Sequence, residues 1–308
     1  MGKAGLFLGP NEIREILPIG YPMLMVDRAQ FESDTEITGL RALSINELVF
    51  QGHFPNHPIL PGVLQIEAMK QLAQLAVYDQ LDAEGDKDIY LKRLKGVKFR
   101  RPNHPGDRMK ITAEIVSVEN GEAVFNAKTY NNGGVTCQAT LTLGVREKTQ
   151  PTEMPVMYTE MDKHDESPLD VVGLMKFMPH RYPFLLSDYM ALKDGDSVAT
   201  VKNLTVNEEF FQSCPADYLT MPESLMCEVM AQSGCACVLS RPENAGKIGY
   251  FMSIDSAEFL APAFPGDQLV SHIVLPPAKS RFGKGSGEIR VDGKVIMKIT
   301  LMFAIVDA

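Results

Sequence analysis

Two residues in this sequence have the type and setting needed to exchange protons. His53 stands in the run Gly52-His53-Phe54-Pro55-Asn56-His57-Pro58-Ile59-Leu60-Pro61-Gly62-Val63-Leu64-Gln65-Ile66-Glu67-Ala68-Met69. Imidazole titrates near neutrality, so a histidine in such a loop can serve as a base. Glu228 sits among Leu225, Met226, Val229 and Met230. An ionised carboxylate in apolar surroundings is costly unless paired, so Glu228 must either be protonated, with its pKa raised by burial, or meet a histidine partner. Taken singly, a histidine beside Pro and Phe can be structural, and a glutamate on an apolar helix can bond a neighbouring backbone. Their arrangement is what gives them weight.

The elements that must position these residues come from an internal repeat, and a duplicated sequence predicts a duplicated fold. Leu17-Pro18, Tyr21-Pro22 and Asp27 return as Met178-Pro179, Tyr182-Pro183 and Asp188, an offset of 161 residues. The same offset carries Asn46-Glu47 onto Asn207-Glu208, Phe50-Gln51 onto Phe211-Gln212, Pro61 onto Pro222, Glu67 onto Glu228 and Gln71 onto Gln232. Phe99, Pro102 and Pro105-Gly106-Asp107 recur as Phe259, Pro262 and Pro265-Gly266-Asp267 at an offset of 160, after a one-residue deletion. Within each copy, Pro61–Tyr78 and Pro222–Leu239 are apolar on nearly every side, with proline at the first turn, which predicts a buried helix. Met109–Val118, Glu122–Tyr130 and Val135–Val145 alternate or run apolar, with turn residues at Asn131–Gly134 and again at Asp292-Gly293, which predicts hairpin-linked strands. The expected fold is α+β: two antiparallel sheets, each wrapped around a central helix, side by side as an intrachain pseudo-dimer. The predicted divisions are 1–147, a linker at 148–167 rich in Thr, Pro, Met and charged residues, and 168–308.

Composition narrows the function classes. The chain has 308 residues, 45% of them hydrophobic and 22% charged, and no apolar run of the ~18 residues that a membrane span needs. Residues Met1–Pro10 lack a secretory apolar run, which predicts a cytoplasmic protein. Five cysteines form no evident disulfide framework; Cys227, Cys235 and Cys237 share one apolar stretch and read as buried thiols, not metal ligands. A net charge of -9 argues against a global nucleic-acid surface.

The Gly52–Met69 run, together with Leu17-Pro18, Tyr21-Pro22, Val26-Asp27-Arg28, Asn46-Glu47, Phe99-Arg100-Arg101-Pro102 and Pro105-Gly106-Asp107, resembles the FabZ-type 3-hydroxyacyl-carrier-protein dehydratases. His180-Arg181-Tyr182-Pro183-Phe184-Leu185-Leu186 and Val206–Gln212 resemble the family again, so the likeness covers nearly the whole chain except the linker and extreme N-terminus. It implies a double hotdog in which each site takes its histidine from one hotdog and its carboxylate from the other. His53 would then face Glu228, while the reciprocal site would set Cys214 against Glu67, a degenerate pair. It implies dehydration of a 3-hydroxyacyl thioester to the trans-2-enoyl product, with His53 taking the C2 proton and Glu228 protonating the hydroxyl. The N–H groups of Gly62 and Val63 would steady the thioester oxygen. No cofactor or metal is implied. The other histidines, His57, His104, His164, His180 and His272, receive no catalytic role.

Lys92, Arg93, Lys95, Lys98, Arg100 and Arg101 crowd one stretch of the first copy, whereas its counterpart in the second carries Asp255 and Glu258. Acyl carrier proteins are acidic, so this stretch is a candidate docking face; a solvated charged face is the plainer reading. Tyr90 and Tyr250 resemble the family's tunnel-lining tyrosine. Within the same chemistry, a hydratase acting on coenzyme A thioesters stays open. Other readings are a non-catalytic acyl-binding subunit, a hotdog thioesterase, or pairing between chains that sets His53 against Glu67. A homo-oligomer of the whole chain is expected.

Overall fold

The computed structural model describes residues 2–82, 84–276 and 281–307. In the first copy the strands are β1 (Phe7–Leu8), β2 (Arg28–Phe31), β3 (Glu36–Ala42), β4 (Lys87–Phe99), β5 (Arg108–Glu119), β6 (Glu122–Asn131) and β7 (Gly134–Glu147). In the second they are β8 (Tyr189–Asp194), β9 (Ser197–Asn203), β10 (Lys247–Phe259), β11 (Gln268–Val274), β12 (Phe282–Val291) and β13 (Lys294–Asp307). Their spatial order is β1-β2-β3-β5-β6-β7-β4-β10-β13-β12-β11-β9-β8, which reads the same from both ends once β1 is set aside. The repeat in sequence is thus a pseudo-two-fold in space.

The axis passes between β4 and β10, which pair antiparallel with Lys98 opposite Ser253 and Leu94 opposite Ala257. Each copy's open edge pairs with the other over 93–98 and 253–258, so the two sheets run into one ladder. Arg93 falls opposite Glu258 across this seam, a cross-strand pair of opposite charge.

Each half wraps a helix, Gly62–Leu81 in the first and Glu223–Leu239 in the second. Every residue from Val63 to Val77 and from Glu223 to Leu239 is buried, as the all-round apolar pattern requires, and the two helices also touch one another. Strongly packed side chains such as Ile66, Met69, Leu72, Phe125, Phe259 and Phe303 tie helices to sheet in one continuous core. Between β7 and the short helix Val171–Phe177, residues 148–170 form no strand beyond an isolated bridge from Leu169 to Met190. This stretch is pinned to the second copy through Val156 N–H to Asp292 and the Tyr189 hydroxyl to the Met161 carbonyl. Among the described residues no helix is long and apolar enough to cross a membrane.

Two backbone bonds dock the copies where the chemistry lies. Arg181 N–H donates to the Gly52 carbonyl (3.0 Å), and the pseudo-symmetric Gly20 N–H donates to the Ser213 carbonyl (2.8 Å). Gly52 is needed for this approach, because a Cβ there would lie 2.2 Å from the Arg181 carbonyl oxygen.

Candidate active site

His53 ends the helical turn Val49–Gly52, its N–H bonded to the Val49 carbonyl and its own carbonyl accepting from Ile59 N–H, both at 2.9 Å. Its Nδ1 lies 2.7 Å from the Ile59 carbonyl oxygen. A carbonyl can only accept, so Nδ1 carries the hydrogen and the Nε2 lone pair is left to act as a base. Burial pushes the His53 pKa down to about 4, against the opposing pull of Glu228, so the ring is neutral at physiological pH. Phe54 stacks on it at 3.9 Å and Phe184 meets it edge-on at 5.6 Å, closing the ring in apolar walls.

Glu228, from the second central helix, is held by Gln232 one turn on. Gln232 donates to Glu228 Oε1 (3.0 Å) and to the Phe184 carbonyl (2.8 Å), and accepts from Leu186 N–H (2.8 Å). His180 Nε2 lies 3.4 Å from the same carboxylate oxygen, and its ring is 5.5 Å from that of His53. Burial alone would raise the Glu228 pKa. His180, the charge of His53 and the Gln232 amide together outweigh it and keep the carboxyl below its usual range. Of the two ways to relieve a buried carboxylate, protonation or a histidine partner, the molecule sets a histidine partner beside it. That partner includes His180, which sequence reasoning gave no role. The repeat register held the clue, since its counterpart in the first copy is Ile19.

Gly62 and Val63 open the first central helix, where N–H groups have no carbonyl one turn back. A Cβ on Gly62 would lie 2.8 Å from the Phe99 ring, so only glycine admits that packing. Phe99 continues into Phe251 (5.1 Å) and Phe303 (5.5 Å from Phe251), an aromatic row that crosses the copies.

The reciprocal position is built differently. Cys214 is half-buried with its thiol directed at the Thr220 carbonyl (3.3 Å), and burial raises its pKa, so it offers no thiolate base. Glu67 accepts from Ser224 (2.8 Å) and Gln71 (2.9 Å) and lies 3.4 Å from Lys70. Lys70 also pairs with Glu223 (3.0 Å), and Arg146 bridges Glu223 (3.2 Å) and Asp88 (2.6 Å). A cavity of about 490 Å³ borders these groups. The Tyr90 ring lies beneath the Arg146 guanidinium at 4.3 Å. Its counterpart Tyr250 is 47% exposed on β10.

The basic stretch is partly neutralised. Lys92 and Arg93 both pair with Glu122, and Arg100 donates to Gln138, while Lys95, Lys98, Arg100 and Arg101 stay exposed. A larger groove of about 1180 Å³ lies across the pseudo-axis between the Tyr21–Met25 and Tyr182–Leu186 loops; it shares Phe184 with the His53 cluster but includes neither His53 nor Glu228. Cys227, Cys235 and Cys237 are free, and among the described residues no cluster of three or more His, Cys, Asp or Glu is arranged to hold a metal.

The FabA-like domain model matches this sequence twice, at residues 17–140 and 178–300. The chain belongs to that family. A 3-hydroxyacyl-acyl-carrier-protein dehydratase FabZ from Halalkalibacterium halodurans is 42% identical over 138 residues, 44% of this chain and 99% of that protein. FabZ from Roseiflexus castenholzii is 41% identical over 138 residues, covering 44% of this chain and 96% of its own. Each relative thus corresponds to one copy of the pair. Among solved structures, an inactive mutant of the CurJ dehydratase superposes on 92% of this chain and 96% of its own with a TM-score of 0.61 at 14% identity. An acyl-CoA thioesterase II, TesB2, from Mycobacterium marinum covers 96% of this chain and 98% of its own with a TM-score of 0.57 at 12% identity. At such identities these two establish the double-hotdog fold and nothing more.

Proposed function

We propose that this chain dehydrates 3-hydroxyacyl groups on acyl carrier protein to trans-2-enoyl products, at a single site made of His53 from the first hotdog (1–147) and Glu228 from the second (168–308), joined by a 148–167 linker. The observation that carries this reading is a neutral, buried His53 with its Nε2 lone pair free, electrostatically coupled to Glu228 of the other copy. His53 Nε2 removes the C2 proton. The thioester oxygen, gaining charge, is met by the N–H groups of Gly62 and Val63 at the positive end of their helix. Glu228 faces the C3 hydroxyl and is the route by which a proton reaches it as it leaves. Lys95, Lys98, Arg100 and Arg101 supply a positive field for an acidic carrier protein, and the working compartment is the cytoplasm.

Steady-state dehydration of a 3-hydroxyacyl carrier-protein substrate tests this. Glu228→Gln should lose about 10²–10⁴-fold in kcat, the usual worth of a positioned proton-transfer group. Glu67→Gln should retain activity within about threefold, since Glu67 is held by Lys70 and Ser224. Loss confined to Glu67→Gln would overturn the pairing, and release of free thiol in place of enoyl product would replace the reaction with hydrolysis.

A further inference from the structure

We propose that His180 is a third working member of this site: a positioning residue that acts through Glu228, holding its carboxylate and sharing with it the proton that the departing hydroxyl requires. The proposal rests on the dehydratase reading above and deepens it.

Placement is the first observation. Arg181 braces its own loop, donating from the guanidinium to the carbonyls of Met175 (3.1 Å), Met178 (2.8 Å) and His180 (2.6 Å), while its N–H docks on Gly52 beside His53. The His180 ring is thereby held 5.5 Å from that of His53 and 3.4 Å from the Glu228 carboxylate. Its unspent valence is the second. His180 is only 7% exposed, and its Nδ1 has no hydrogen-bond partner among the described residues. A buried nitrogen left idle costs free energy, and such groups persist where function uses them. An imidazole with one nitrogen on a carboxylate and the other unoccupied can take up or release a proton without breaking its hold.

Asymmetry between the copies is the third. At the reciprocal position the residue is Ile19, and Glu67 is met instead by Lys70 and Ser224. Lys70, between two carboxylates, keeps its proton well above the usual lysine range and has none to lend. Histidine is retained at this loop only where the other copy supplies His53.

The proton count requires such a group. Elimination removes one proton from C2 and adds one to the oxygen leaving C3. A neutral His53 and an ionised Glu228 hold no spare proton at the outset, so the cycle starts with one on the Glu228–His180 pair, as an imidazolium beside the carboxylate or a carboxylic acid beside a neutral imidazole. The C2–H bond breaks with its proton passing to His53 Nε2, and its electron pair becomes the second bond between C2 and C3. The C3–O bond breaks as the oxygen takes a proton from Glu228, which His180 replenishes, and water leaves. The proton on His53 then returns to the Glu228–His180 pair, so the cycle closes without any oxidant or reductant.

A substrate whose leaving group needs no proton isolates this role. His180→Gln, His180→Ile and His53→Asn chains would be compared on 3-hydroxyacyl and 3-fluoroacyl carrier-protein thioesters, with folding checked by circular dichroism. Both His180 variants should lose about 10²-fold in kcat on the hydroxyl substrate with KM within about threefold, yet keep fluoride elimination within about fivefold of wild type; His53→Asn should lose both. Should His180→Ile fail to fold, His180→Gln, which keeps an N–H for Glu228, still gives the reading. Equal losses on the two substrates, or full hydroxyl turnover in His180→Gln, would overturn the proposal. A wild type that eliminates fluoride but not water would sink the dehydratase reading, and the proton-sharing role with it.

Discussion

The two sites of this molecule begin from the same frame and end in opposite chemistry. In both, a glutamate on the central helix is gripped by a glutamine one turn later, which also ties down the preceding loop: Gln71 to Met23 and Met25, Gln232 to Phe184 and Leu186. Around Glu228 the neighbours are two imidazoles, His180 at 3.4 Å and His53 beyond it, groups that can accept and release a proton. Around Glu67 they are a serine and a lysine, and the helix start that carries Gly62 in one copy carries Glu223 in the other. The difference shows that a buried carboxylate is not itself a site. Groups that can lose or gain a proton make it reactive, and groups with fixed charge make it a brace.

The sharpest way to break this contrast is to remove the brace. Lys70→Met leaves Glu223 with Arg146 alone and Glu67 with Ser224 and Gln71, and should destabilise the chain by about 3–5 kcal/mol in a denaturant titration, as expected when one partner of a buried ion pair is lost. Adding Glu223→Gly to Lys70→Met should recover part of that loss, because it removes the carboxylate left under-paired. Strictly additive destabilisation in the double variant would mean that the pair does not couple across the copies.

A somewhat smaller effect should appear with pH at the reactive site. His53 is held near pKa 4 in the folded chain against about 6.5 when unfolded, so between those values the unfolded chain binds a proton that the folded chain refuses. Stability from this residue is therefore complete above about pH 6.5 and lost as pH falls toward 4, a drop of order 3 kcal/mol. His53→Gln should flatten that slope. Equal slopes in the two chains would show that His53 is already protonated in the folded state and is no base. The brace enters only at the acid end of this window, where unfolded Glu223 takes up a proton that the folded chain refuses while Asp88, its pKa raised by burial, pulls the other way; Lys70 stays charged throughout.

Much of this was legible in the sequence because the offset of 161 residues maps each copy onto the other without folding anything. The family resemblance singles out His53 and the helix glutamate, and the register carries them onto Cys214 and Glu228; both buried helices are legible too, since apolar character on every side is a local property. What escaped depends on contacts between copies. His180 reads as part of a loop motif until Arg181 N–H is seen on the Gly52 carbonyl, and Lys70 reads as an odd charge on an apolar helix until Glu223 meets it. The position of Tyr90, nine residues before Phe99 along a strand, does not reveal that Arg146 caps its ring. The union of β4 with β10 is likewise invisible in either copy alone, because an edge strand's sequence does not name its partner.

The smallest expected effect is the most discriminating. If the two sites differed only in Cys214 against His53, then Cys214→His placed in a His53→Asn chain would restore turnover. No gain is expected. A histidine at position 214 would face a Glu67 already bound by Ser224 at 2.8 Å and Lys70 at 3.4 Å, with Ile19 where the reactive site has His180 and the Glu223 side chain at the helix start. Ser224 and Lys70 withhold a free carboxylate, Ile19 a shared proton, and Glu223 an unobstructed N–H. Turnover above the His53→Asn background would show that the surroundings of Glu67 are tolerated by the chemistry and that the histidine alone separates the two sites. Its absence, followed by stepwise return on adding Lys70→Ala, Glu223→Gly and Ile19→His, would assign the difference to the neighbours that set the protonation of the carboxylate.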